Sequence, residues 1–120
     1  MIYRFEIPLK LPSLNEYINA CRSNKYDASK MKKQIEADIW YFIRQLPAIE
    51  KPVRISFTWI EANRKRDIDN VAFAKKFILD ALVKFGKLQN DTRKYVVGFT
   101  DDFEISKEYK IIVKLTEVEP

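Results

Sequence analysis

The 120-residue chain has no histidine, one cysteine (Cys21) and only two glycines, Gly86 and Gly98. Without an imidazole there is no histidine general base, nucleophile partner or zinc ligand, so serine triads and zinc peptidases are excluded. Two isolated glycines cannot build a G-x-G-x-x-G turn or a glycine-rich phosphate loop, which excludes dinucleotide and P-loop sites and with them a nucleotide cofactor. A lone cysteine closes no intrachain disulfide and makes no paired-cysteine metal site, as suits a reducing compartment; Cys21 itself reads as a small, partly buried apolar residue. No apolar run approaches the roughly 20 residues that span a bilayer. The opening Met-Ile-Tyr-Arg-Phe-Glu alternates polar and apolar residues, unlike a basic leader followed by an apolar stretch. The expectation is a cytoplasmic protein with no membrane partner.

What is present suffices for one core. At 47% hydrophobic residues, the chain reads as a single domain over 1–120. Lys and Arg number 22 against 17 Asp and Glu, a net charge of +5 that favours a polyanionic partner.

Alternation with period two predicts strands over 2–7 and 53–59, and β-rich runs over 95–100 and 109–115 suggest a C-terminal hairpin across the charged stretch 101–108. Apolar residues at intervals of three and four predict a helix over 27–46, ended before Pro47, and a second over 69–85, closed by Gly86. Residues 9–26 show little periodicity and read as a long loop. The order β-α-β-α-β-β implies an α+β fold, a small mixed sheet with two helices packed on one face.

Asp67 and Asp69 stand two apart where extended chain gives way to helix, a spacing that sends both carboxylates to one side. Two readings stay open here. Either a hard cation bridges them, or Asp69 caps the helix and Asp67 is a surface charge. Arg64, Lys65 and Arg66 immediately upstream suit a phosphodiester held over a metal. Lys76, seven positions after Asp69, returns to nearly the same helical direction, with Asp80 as an exposed ion-pair partner, while Lys75 turns toward the apolar face. Asp91, in the loop after that helix, is a candidate third ligand. An all-oxygen set selects Mg²⁺, with Mn²⁺ as substitute, and serves phosphodiester hydrolysis. Arg22, Lys25, Lys30, Lys32 and Lys33, opposed only by Asp27, form a second basic cluster suited to a phosphate backbone or to a solvated helix face.

The run Arg66-Asp-Ile-Asp-Asn70, then Lys76-Phe-Ile-Leu-Asp-Ala-Leu82, then Asn90-Asp91 resembles the RusA-type Holliday junction resolvases over about 61–98. Pro12-Ser-Leu-Asn15 is similar to the segment that follows the family's first strand. The resemblance implies a small homodimeric, Mg²⁺-dependent endonuclease of bacterial or prophage origin that cuts four-way DNA junctions by paired symmetric nicks. It implies Asp67, Asp69 and Asp91 as metal ligands and a catalytic lysine in the helix. Counting forward from Asp69 reaches Phe73 and counting back from Asp80 reaches Lys76; only Lys76 offers a cation to a charged phosphorane. Asn15 and Asn70 join Arg64, Lys65, Arg66 and the 22–33 cations as expected DNA contacts. Phe73, Trp40 and Tyr41, with no obvious core position, are candidates for the dimer contact. The alternative is a DNA-binding or phage accessory domain of the same fold that does not cut.

Overall fold

Period-two alternation builds the sheet, and its buried half faces one way. In the structure, a computed structural model that describes residues 1–119, Phe5 and Ile7 of strand β1 (Ile2–Ile7) and Val53, Ile55, Phe57 and Trp59 of β2 (Val53–Glu61) are buried. So are Ile111, Val113 and Leu115 of β4 (Lys110–Glu117), whereas β3 (Val96–Ile105) buries only Val96. Helices α1 (Leu14–Ser23) and α2 (Lys25–Ile43) follow β1, and α3 (Ile68–Ala72) and α4 (Lys75–Lys84) follow β2. Ile35, Ile39 and Ile43 of α2 meet Phe77, Ile78, Ala81 and Leu82 of α4 in one core over the buried sheet face. The fold is α+β, with a mixed four-stranded sheet in the order β1-β4-β2-β3.

Several expectations are corrected. β3 and β4 do not form a hairpin: β3 pairs with β2 in parallel, and β4 inserts antiparallel between β1 and β2. The more continuously apolar β4 occupies the centre, where both of its edges are paired. The charged stretch after residue 100 does not end β3, because Phe103 and Ile105 continue its alternation and an edge strand tolerates Asp102 and Glu104 on its open face. The unit β2-α3-α4-β3 is a crossover between parallel neighbours.

Residues 14–23, read as loop, are helical. Ser13 caps α1: its Oγ accepts from the Glu16 N–H at 3.2 Å while the Glu16 carboxylate accepts from the Ser13 N–H. Asn24 breaks the helix in extended backbone and restarts the chain as α2, its side chain accepting from Tyr26 N–H at 2.8 Å. Cys21 is exposed on α1 rather than partly buried.

The helix expected over 69–85 is split at Phe73 and Ala74. There Ala74, Lys76 and Phe77 donate to carbonyls three residues back, a tight turn that advances faster than an α-helix. Gly86 does end α4, with φ +75°, Lys87 N–H reaching Leu82 O at 2.8 Å and Gly86 N–H reaching Val83 O at 3.1 Å. A Cβ at Gly86 would meet nothing within 4 Å, so Gly86→Ala carries only the left-handed backbone penalty. It should lower unfolding free energy by roughly 1–2 kcal/mol in a denaturant titration.

Candidate active site

β2 ends at Glu61, and the chain must then turn back to enter α3. Asn63 Oδ1 accepts from Lys65 N–H at 2.9 Å, shaping the turn and leaving Arg64 and Lys65 exposed. Arg66 fastens the loop: its Nε and one terminal nitrogen grip both Glu61 oxygens at 2.7 and 2.8 Å. Its other terminal nitrogen donates to Leu11 O at 2.8 Å and lies 3.5 Å from Glu16. Burial opposes the Arg66 charge, but the bonds to Glu61 and the charges of Glu61 and Glu16 more than offset it, so the pKa is raised. The guanidinium thus joins the end of β2 to the approach and first turn of α1.

This anchored loop delivers the two aspartates. Asp67 occupies the position before α3 in extended backbone, yet its side chain makes no capping bond. Asp69 lies inside the first turn, and its Oδ1 accepts only from the adjacent Asn70 N–H at 3.0 Å. The capping reading of Asp69 holds in part: one of its oxygens accepts from a first-turn N–H of α3, while the N-cap position itself belongs to Asp67, whose side chain makes no such bond. Both aspartates line a cleft of about 740 Å³ together with Glu61, Arg64 and Ile68 and with Phe103, Glu104 and Ile105 of β3.

The break between α3 and α4 alters the count that aligned Lys76 with Asp69. Lys76 Nζ lies 3.1 Å from Asp80 and 3.6 Å from Asp91 and is not among the residues that line the cleft. Its pKa is raised, chiefly by the hydrogen bond to Asp80, with Asp91 adding to it. Lys76 is therefore a cation across the neutral range, and that charge is lost only as pH rises through the raised value. Asp80 also holds Lys32 at 3.1 Å, so this expected DNA contact has a partner within the fold. The structure thus brings Asp67 to Asp69 and Lys76 to Asp91. Among the described residues, no three acidic, histidine or cysteine side chains are grouped so as to hold one ion.

Lys75 turns inward as expected. Its Nζ meets Asp101 at 2.7 Å and lies over the rings of Phe99 at 4.6 Å and Phe57 at 5.3 Å. Trp59 Nε1 donates to the other Asp101 oxygen at 2.8 Å. Of the remaining candidates, Asn15, Arg22, Lys25, Lys30 and Lys33 are exposed on α1 and α2, and Asn70 is half-buried on α3. Phe73 is half-buried and packs with Tyr17 and Phe77 at 5.7 and 5.5 Å, whereas Trp40 and Tyr41 are exposed.

The family model described as endodeoxyribonuclease RusA matches residues 4–116. The chain belongs to the RusA endodeoxyribonuclease family. This makes it a nuclease by family, of the kind that acts on Holliday junctions, and the match extends well beyond the 61–98 segment in which the resemblance was read. A search of the curated proteins found no match. No helix among the described residues is long and apolar enough to cross a membrane.

Three features of the site went unread in the sequence. Glu61 is separated by five positions from the arginine it holds, and no local period joins them. Arg66 reaches Leu11 across 55 residues, a tertiary contact without sequence signature. Phe103 and Ile105 did carry a signal, the run Phe99, Asp101, Phe103, Ile105 at period two.

Proposed function

We propose that this RusA-family protein is a Mg²⁺-dependent endonuclease that resolves four-way DNA junctions as a homodimer, by paired symmetric nicks. The observation that carries the reading is the pair of aspartates, Asp67 and Asp69, exposed and lining one cleft beside Arg64. Two carboxylates suit the ion, since Mg²⁺ is commonly held by one or two of them together with waters and substrate phosphates. Asp91 is the third ligand by family resemblance, carried on the loop after α4. When bound, the ion supplies positive charge to the scissile phosphate and acidity to the attacking water.

The chain's own residues do the rest. Arg64 and Lys65 hold the phosphate backbone over the cleft. Lys76, protonated at neutral pH, offers its ammonium to charge developing on phosphorus and exchanges Asp91 for the substrate. Arg66 acts indirectly, by fixing the loop on which both aspartates ride. The exposed cations on α1 and α2 extend the phosphate-binding surface. Two copies related by a two-fold axis match the approximate symmetry of a junction, and each contributes one cut.

A gel shift comparing a four-way junction with linear duplex tests the binding half. The junction should be retained at lower protein concentration, whereas equal affinity for both would count against structure selectivity. Affinity should fall with salt at about 0.9 log units per log unit for each phosphate contacted. Replacing Arg64 and Lys65 by alanine should weaken binding on every DNA sequence, reduce that slope by about two contacts and leave cut positions unchanged. A shifted cut site would make the loop a reader of bases.

A further inference from the structure

The cleft has two chemically different walls. Arg64, Asp67 and Asp69 are charged. In the same cleft Phe103 is 36% exposed and Ile105 50%, and Ile68, set between the two aspartates, is 61% exposed. Three large apolar side chains thus present part of their surface to solvent in one concavity.

Strand register brings the apolar positions of β3 to the cleft. Asp101, Phe103 and Ile105 pair with Phe57, Trp59 and Glu61 and share their face, while Asp102 and Glu104 pair with Thr58 and Ile60 and alternate with them, Glu104 still lining the cleft from the strand edge. Of the carboxylates on that face, Asp101 is neutralised by Lys75 and bonded by Trp59, and Glu61, which lines the cleft, is held by Arg66. Phe103 and Ile105 thus reach the cleft as apolar side chains, with Glu104 beside them on the strand.

A nucleotide has the matching halves, a planar base with apolar faces and an anionic phosphate. We infer that Phe103, with Ile105 and Ile68, receives an unstacked nucleobase of the branched DNA while its phosphate lies toward Asp67 and Asp69. This inference rests on the nuclease reading above and adds the source of its structural selectivity. In continuous duplex a base must be pulled from its stack to reach this wall. At a branch point stacking is already interrupted, so the same contact costs less. The continuity of the apolar wall with the aspartates favours a base over a second copy of the chain, which the exposed edge of β3 also invites.

The test is a single-turnover cleavage cycle with the full chain, Mg²⁺ and two synthetic four-way junctions, one intact and one abasic at the point of exchange. Phe103→Ala should slow cleavage of the intact junction about tenfold, the scale of one base–aromatic stack. On the abasic junction, wild type and variant should agree within about twofold, because no base remains to be held. Phe103→Trp, which keeps an aromatic face, should cut the intact junction at near wild-type rate.

Equal losses on both junctions would reduce Phe103 to a structural residue and overturn the inference, as would an unchanged rate on the intact one. A dimer converted to monomer by Phe103→Ala, seen by light scattering, would make the patch an interface and overturn it as well. Failure of the wild-type protein to cut any junction would instead sink the nuclease reading, and this inference with it.

Discussion

Asp69→Asn should reduce cleavage of a four-way junction by more than about a hundredfold while leaving its affinity for the junction within about twofold. Substitutions of groups that merely orient metal ligands cost 10- to 100-fold, and removing the charge of a ligand itself should cost at least as much. Asparagine retains the size of the side chain and an oxygen that can still accept from Asn70 N–H, the one bond Asp69 makes. The basic surface that binds DNA is untouched. Because asparagine can keep that bond to the first turn, the helix should also keep its stability, so unfolding measured alongside activity should be nearly unchanged. Normal turnover by this variant would remove Asp69 from the metal site.

Arg66→Ala should behave in the opposite way. Its side chain is 15% exposed and that of Glu61 13%, and the pair is bidentate, so deleting the arginine strands a carboxylate that is largely withdrawn from water. Breaking such a pair from one side should cost about 3 kcal/mol of unfolding free energy. The Leu11 carbonyl loses its donor as well, so the end of β2 and the start of α1 come apart. Cleavage should fall because Asp67 and Asp69 lose their anchor, and Arg66→Lys should restore little, since an ammonium cannot repeat the two-pronged grip. A Glu61→Gln and Arg66→Ala double variant should be less destabilised than the sum of the singles. Weakened DNA binding with unchanged stability would instead make Arg66 a phosphate contact.

The contrast between these two residues marks what the chain reveals before it folds. Asp67 and Asp69 could be placed together because their relation is local, two positions at the start of a helix. The α+β class, the strand over 53–59 and the C-terminal cap at Gly86 were legible for the same reason. The order of strands was not, because β3 and β4 are both β-rich and only their competition for the centre of the sheet decides which lies between β1 and β2. Helix α1 was hidden by its asparagines and serines, two of which turn out to be its caps, Ser13 at the start and Asn24 at the end. The tight turn at Phe73 and Ala74, which changes the helical phase between Asp69 and Lys76, was not legible, because nothing in Ala-Phe-Ala announces it.

The account stands most directly on one measurement. A synthetic four-way junction, with each strand end-labelled in turn, is incubated with the wild-type protein in Mg²⁺ and in a chelator, and the cuts are mapped on every strand. Mg²⁺ should give nicks at matching positions on two opposed strands, with none in the chelator and none on a linear duplex of the same sequence. Cleavage that persists in the chelator, or a junction that is bound tightly and never cut in Mg²⁺, would contradict the assignment of Asp67 and Asp69 to a metal-dependent nuclease.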